Sequence, residues 1–366
     1  MKKIIAAALA GVIGIAALTG CGVRDTGSRT VIKKEDKQIV VIDDKNNVAQ
    51  SEIALGKILS FEDIRVLDWI SEDVILVMKE NKNMPQFQGE SSMVYPKNFY
   101  EFNIKTKEEK LVAESELNMS NGILSPDKKH IFYKEGIEES LTGFIFNRET
   151  GKKIQVTERD SISSYEGQWL DNNNVILSSY SEGRILQVDV DGNRTELGRP
   201  AERLISSTMR IGNSIYYTTM DERFFIQDLD GNNRRLVMKN VVWIIPSPDR
   251  TKFAMVKRTA QTERTLYITD LEGKELLKLS KATQIYGVNW SPDQSKLAYI
   301  TMEPDTNSGG LFVADAERGN VTQLSVDIKD AADPLRWSPS GKQVSITTMV
   351  WGESTYKFIT NLLQLK

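Results

Sequence analysis

The sequence predicts an all-β fold, a β-propeller of seven blades closed by an N-terminal strand, and three observations carry that prediction. A string built on Ser-Pro-Asp and followed by apolar residues recurs along the chain. A second pattern, an aromatic or aliphatic pair ending in Asp or Asn, recurs with nearly the same period. A single cysteine stands directly after an apolar N-terminal run and sets the remainder apart as the exported, folding part.

Taken in order, Lys2 and Lys3 open the chain, Ile4 to Leu18 is almost wholly apolar, and Leu18-Thr19-Gly20-Cys21 follows. A basic start, an apolar stretch too short to span comfortably and small residues before a cut are the parts of an export signal. An unpaired thiol is an oddity in a secreted chain unless it is used. The tetrad resembles the lipobox of bacterial lipoproteins. That resemblance implies a signal peptide over 1–20, cleavage before Cys21 and acylation of its thiol. The expected location is the cell membrane, lipid-anchored and facing outside the cytoplasm, since two or more acyl chains anchor where one does not. Residues 21–37 are polar, charged and poor in aromatics, and are expected to act as a flexible tether reaching roughly 20–25 Å. Residues 38–366 form the propeller domain.

Composition narrows the function. The full chain has 47 Lys+Arg against 50 Asp+Glu, and loss of Lys2 and Lys3 moves the formal charge from −3 to −5. An acidic balance of this kind argues against a nucleic-acid binder. One cysteine allows no internal disulfide, and one histidine, His130, leaves a His/Cys transition-metal site without ligands. No cofactor is expected, and the chain is expected to be a monomer.

The repeat is the central feature. The string beginning at Trp290 (Trp-Ser-Pro-Asp-Gln-Ser-Lys-Leu-Ala-Tyr) returns from Trp337, Leu124 and Pro246, with degenerate copies at Trp69, Trp169 and near Arg210. The second pattern ends at Asn103, Asn147, Asp189, Asp228, Asp270, Asp315 and Asn361, with spacings of 44, 42, 39, 42, 45 and 46. Two motifs sharing a count of seven and a period of 40–45 are the signature of propeller blades. Six blades are the alternative if the first or fourth copy is irregular. Proline presets φ for a tight turn while Ser and Asp bond nearby N–H groups. The apolar run after each turn reads as a buried strand. Trp69, Trp169, Trp290 and Trp337 are expected as wedges between blades. Asp189 to Asn193 and Asp228 to Asn232 read as type I′ hairpin turns. Calcium is disfavoured there because neither string has an acid at its twelfth position. Ring closure requires a strand from the 38–59 region, in which Gln38 to Ile42 is strand-like, because the last repeat is one strand short.

The Trp-Ser-Pro-Asp string and its relatives resemble the TolB-like propeller repeats, shared with the propellers of prolyl oligopeptidases and related to WD-repeat blades. The resemblance covers about residues 60–365. It implies the fold and says little about function.

No Gly-x-Ser-x-Gly nucleophile elbow is present, and His130 is expected as a solvated strand residue. The expectation is therefore a membrane-anchored, non-enzymatic platform that binds a protein or peptide through loops on one face. The longest insertion, 80–98, carries Met84, Phe87, Met93 and Tyr95. Corresponding loops carry Tyr180, Arg184, Arg223, Arg258, Trp351 and Tyr356, with Trp351 as the main anchor because it lies outside the blade positions. The alternative is a metal-dependent hydrolase or lyase with a site at the propeller channel.

Overall fold

The computed structural model describes residues 28–34, 37–43 and 53–366, except 90–91, 138–139, 159–161, 165, 180–181, 203, 304–307, 327, 329–330, 332–333 and 353–355. The expected signal peptide over 1–20, Cys21 and Tyr180 lie outside the described residues. No helix among the described residues is long and apolar enough to cross a membrane.

Seven four-stranded antiparallel sheets make the propeller. Blade one is Arg65–Trp69, Val74–Glu80, Lys97–Asn103 and Glu109–Ala113, from the axis outwards. Blades two to six repeat the same simple order and begin at Asn118, Gln168, Ile205, Val241 and Gln284. Blade seven is composite. Arg336–Trp337, Gln343–Trp351 and Tyr356–Leu365 supply three strands, and Leu55–Glu62 pairs with Tyr356–Leu365 as the fourth. Gln38 to Ile42 does not take that place: Lys37–Asp43 pairs with Ser28–Lys34 as a separate hairpin.

The apolar runs explain the ring. The second strand of each blade buries at least four consecutive residues, hence both of its faces, and the core divides into seven clusters at the blade interfaces. At the seam, Phe61 and Leu362 of blade seven pack with Val66, Trp69 and Phe102 of blade one. The four tryptophans are all buried, and each indole N–H donates to a carbonyl in the inner region of the preceding blade. Trp69 bonds Arg336 O at 3.3 Å, Trp169 bonds Ile123 O at 2.9 Å, and Trp290 and Trp337 bond Ile245 O and Asn289 O at 3.1 Å. A buried indole needs such a partner, and here the bond ties one blade to the next.

The Ser-Pro-Asp turns are nearly superimposable in their bonding. Ser125, Ser247 and Ser291 each donate a 2.6 Å bond to the Asp two residues on. The same hydroxyls accept the N–H of His130, Lys252 and Lys296. Two residues after the Pro, Lys128, Arg250 and Gln294 adopt φ of 64°, 58° and 55°, and Gly341 takes the equivalent place at 66° without a Cβ.

Three expectations need correction. In the Asp189 and Asp228 turns only Gly192 (φ 92°) and Gly231 (φ 80°) enter the left-handed region, and each Gly N–H bonds the Asp carbonyl three residues back. That is a type I turn followed by a bulge glycine, whereas type I′ requires positive φ at both central residues. Asn361 does not end a strand: Gln343 pairs with Gln364 as Lys296 pairs with Asp315, so Gln364 is the true counterpart. His130 is buried, 8% exposed, with its Nε2 3.0 Å from Asn147 Nδ2 and its ring near Trp169.

Candidate functional site

A concavity of about 1070 Å³ opens over the seam where blade seven meets blades one and two. Three loop regions build it, each lying between the second and third strands of a blade. In blade one the insertion folds back as a short hairpin, Phe87–Gln88 against Met93–Val94. Its stem is fixed by buried amides: Asn81 Nδ2 donates to Asn98 Oδ1 at 2.9 Å and Asn98 Nδ2 donates to Ser115 O at 3.0 Å. In blade seven the long second and third strands carry Trp351 and Tyr356 out to the rim, where they face each other as the last cross-strand pair. Blade two contributes Ile137.

The wall is a run of rings. Trp351 and Tyr356 meet edge to face at 5.4 Å, and Tyr356 and Phe358 do the same at 5.3 Å. Phe358 is buried and anchors the run, while Trp351 is 65% exposed at its outer end. Phe87, Tyr95 and Tyr100 face the same space. Lys79, Lys82, Lys97 and Lys357 line it together with Asp63, Glu80 and Glu109. Lys79 is held by Glu109 at 2.5 Å. Lys97 Nζ donates to Tyr356 Oη at 2.6 Å and lies 4.8 Å from that ring's centroid. Burial, with the negative charges of Glu109 and Glu114, raises the pKa of the Tyr100 phenol above its ordinary value. Rings offer flat apolar faces to a ligand, and ammonium groups offer partners for acidic substituents.

Of the residues singled out by sequence, Phe87, Tyr95, Trp351 and Tyr356 converge on this cleft. Met84 is half-buried in the insertion and does not line it. The arginines lie elsewhere on the ring and are engaged in ion pairs. Arg184 pairs with Glu182 and Glu196, Arg223 with Asp221 at 2.7 Å and Glu202, and Arg258 with Glu222. Lys97 and Phe358 were not anticipated. The signal for them is ring closure itself, which sets the third strand of the last blade beside that of the first.

No family model matches the chain, and no curated protein matches it. Solved structures do.

In fold the chain is similar to oligogalacturonate lyases. One, in complex with manganese, matches with a TM-score of 0.61 at 14% identity, covering 93% of this chain and 96% of its own. Another, from Vibrio parahaemolyticus, gives 0.58 at 14% identity over 92% and 96%. An uncharacterized protein from Listeria monocytogenes gives 0.54 at 12% identity over 79% and 92%. These neighbours correct the expectation of a non-enzymatic platform, because propellers matching more than nine-tenths of this chain include enzymes. The likeness itself is one of fold. Among the described residues no three His, Cys, Asp or Glu side chains stand together as a group that could hold a metal ion.

Proposed function

We propose that the chain is an enzyme acting on an acidic saccharide, cleaving a glycosidic linkage as a lyase or hydrolase, with the substrate held in the cleft over the seam. The observation that carries this reading is the convergence of Trp351, Tyr356, Phe87 and Tyr95 with four lysines in one cleft of about 1070 Å³. A volume of that order suits a ligand of several rings, since sites for drug-sized molecules run to about 300–1,000 Å³. The fold neighbours name the substrate to try first, oligogalacturonate.

Within the cleft, the Lys97–Tyr356 pair is the group best placed to move a proton. The ammonium donates to the phenol oxygen, which leaves the phenol proton free to reach a bound substrate. In a lyase step a base takes the proton beside a uronate carboxylate, the bond from the next carbon to the linking oxygen breaks, the departing oxygen takes the Tyr356 phenol proton, and a carbon–carbon double bond remains. Positioned proton transfer of this kind contributes about 10²–10⁴-fold. The test is incubation of the exported chain with oligogalacturonate, following ultraviolet absorbance of unsaturated ends and new reducing ends together. Product formation that falls by about 10²-fold or more in Tyr356→Phe supports the reading. Absence of both products, or full activity in that variant, overturns it.

We further propose that Cys21 carries the lipid and holds a monomeric, TolB-like propeller at the outer side of the membrane. The support is the basic start, apolar run and Leu-Thr-Gly-Cys tetrad. Metabolic labelling with palmitate is expected to mark the chain and to fail in Cys21→Ala; label retained in that variant contradicts the assignment.

A further inference from the structure

A second cavity of about 120 Å³ lies at the axis of the ring, among the inner strands of blades seven, one and two. It shares no lining residue with the seam cleft. Two cations face it. Lys134 is 1% exposed, and among the described residues its Nζ makes no hydrogen bond or ion pair; its nearest ring is Phe132 at 4.8 Å. Arg336 gives its Nε–H to Leu67 O at 2.8 Å, and no carboxylate among the described residues comes within ion-pair distance of its guanidinium. Lys134 occupies a strand position that other repeats fill with Val256, Ile300 and Thr347, each buried. An ammonium in an apolar slot costs several kcal/mol unless it is paired. The fold has therefore placed two cations at one small space where, among the described residues, neither forms an ion pair.

We propose that this axial cavity binds a small oxyanion, of the size of phosphate or acetate, between Lys134 and Arg336. The volume is about that of four waters at roughly 30 Å³ each, enough for an ion of four or five heavy atoms and too little for a sugar ring. Glu166, from the segment ahead of blade three, is the acidic group that acts on Lys134. Its Oε1 accepts Ser178 N–H at 2.7 Å, while among the described residues Oε2 lies within hydrogen-bond geometry of no donor. Burial raises Glu166 to about 7, and burial, reinforced by Arg336 and opposed by Glu166, lowers Lys134 to about 7. An arriving oxyanion adds negative charge beside Lys134 and draws a proton onto it. The proposal stands apart from the seam cleft and from any reading of its substrate.

The test is thermal unfolding of the exported chain in phosphate and, separately, in acetate, each against chloride at equal ionic strength. The same series is run on Lys134→Met and Arg336→Gln. The wild type is expected to gain stability with phosphate or acetate above chloride, growing with concentration as a ligand specific to the folded state requires. Which of the two ions gives the larger shift distinguishes a phosphate site from a carboxylate site. Lys134→Met is expected to fold in chloride and to lose the oxyanion-specific shift. Calorimetry at pH 8 in two buffers of different ionisation enthalpy is expected to report uptake of up to about one proton on binding. An equal response to all three anions in the wild type overturns the proposal, as does an undiminished oxyanion shift in Lys134→Met. Should Arg336→Gln fail to fold, Lys134→Met and the proton count decide.

Discussion

Individual side chains set this fold through bonds that repeat from blade to blade. Trp290 is buried, packs between blades five and six and bonds Ile245 O. Trp290→Ala is expected to cost about 3–5 kcal/mol, and Trp290→Phe less, since much of the volume survives; chemical denaturation of both variants checks the order. Asp249 shows the same economy in a turn. The Ser247 hydroxyl, with the Thr251 N–H and hydroxyl, lowers its pKa to about 2. A carboxylate depressed in the folded state stabilises above its unfolded pKa of about 3.9, and that contribution disappears as pH falls towards about 2. The stability gap between wild type and Asp249→Asn should hold from neutrality to about pH 4 and close below it; a gap that persists at pH 2 contradicts the assignment. The tryptophans and Ser-Pro-Asp turns were legible in sequence because their chemistry is local. His130 was not, because its burial depends on Asn147 of the next strand and Trp169 of the next blade.

Elements show where reading by period fails. The Asn361 pattern resembles a strand end, yet the last strand runs on to Leu365 because Leu55–Glu62 keeps it paired on its outer side. Ser60 Oγ bonds Asn361 Oδ1 at 2.8 Å across that pairing. A chain beginning at Asp63 is expected to leave a ten-residue edge exposed and to self-associate. Light scattering of that truncation against the chain from residue 22 onwards checks it, and a monodisperse, fully folded truncation contradicts it. The insertion in blade one read as a loop carrying apolar residues, and buried Asn81 and Asn98 give it a fixed stem. Asn98→Ala strands the Asn81 amide and Ser115 O, and is expected to cost about 1–3 kcal/mol.

For the molecule as a whole, closure determines the site. Lys97 and Tyr356 are 259 residues apart in sequence and 2.6 Å apart in the ring. Sequence identified Phe87, Tyr95, Trp351 and Tyr356 one at a time as apolar residues in loops, but only the closed circle makes them one wall. The arginines drawn from corresponding loops stayed dispersed because each belongs to a different blade and finds its own carboxylate. The axial cations were hidden for the opposite reason: Lys134 lies in a strand whose repeat predicts a buried apolar residue. The measurement that tests the central claim most directly is a titration of the exported chain and of Trp351→Ala with oligogalacturonate and with a neutral oligosaccharide of equal length, followed by calorimetry. Saturable binding of the acidic ligand alone, weakened at least tenfold (about 1.4 kcal/mol) in Trp351→Ala, is the result expected of a seam cleft built for acidic saccharides. Equal binding of both ligands, or acidic binding untouched by the loss of Trp351, would contradict it.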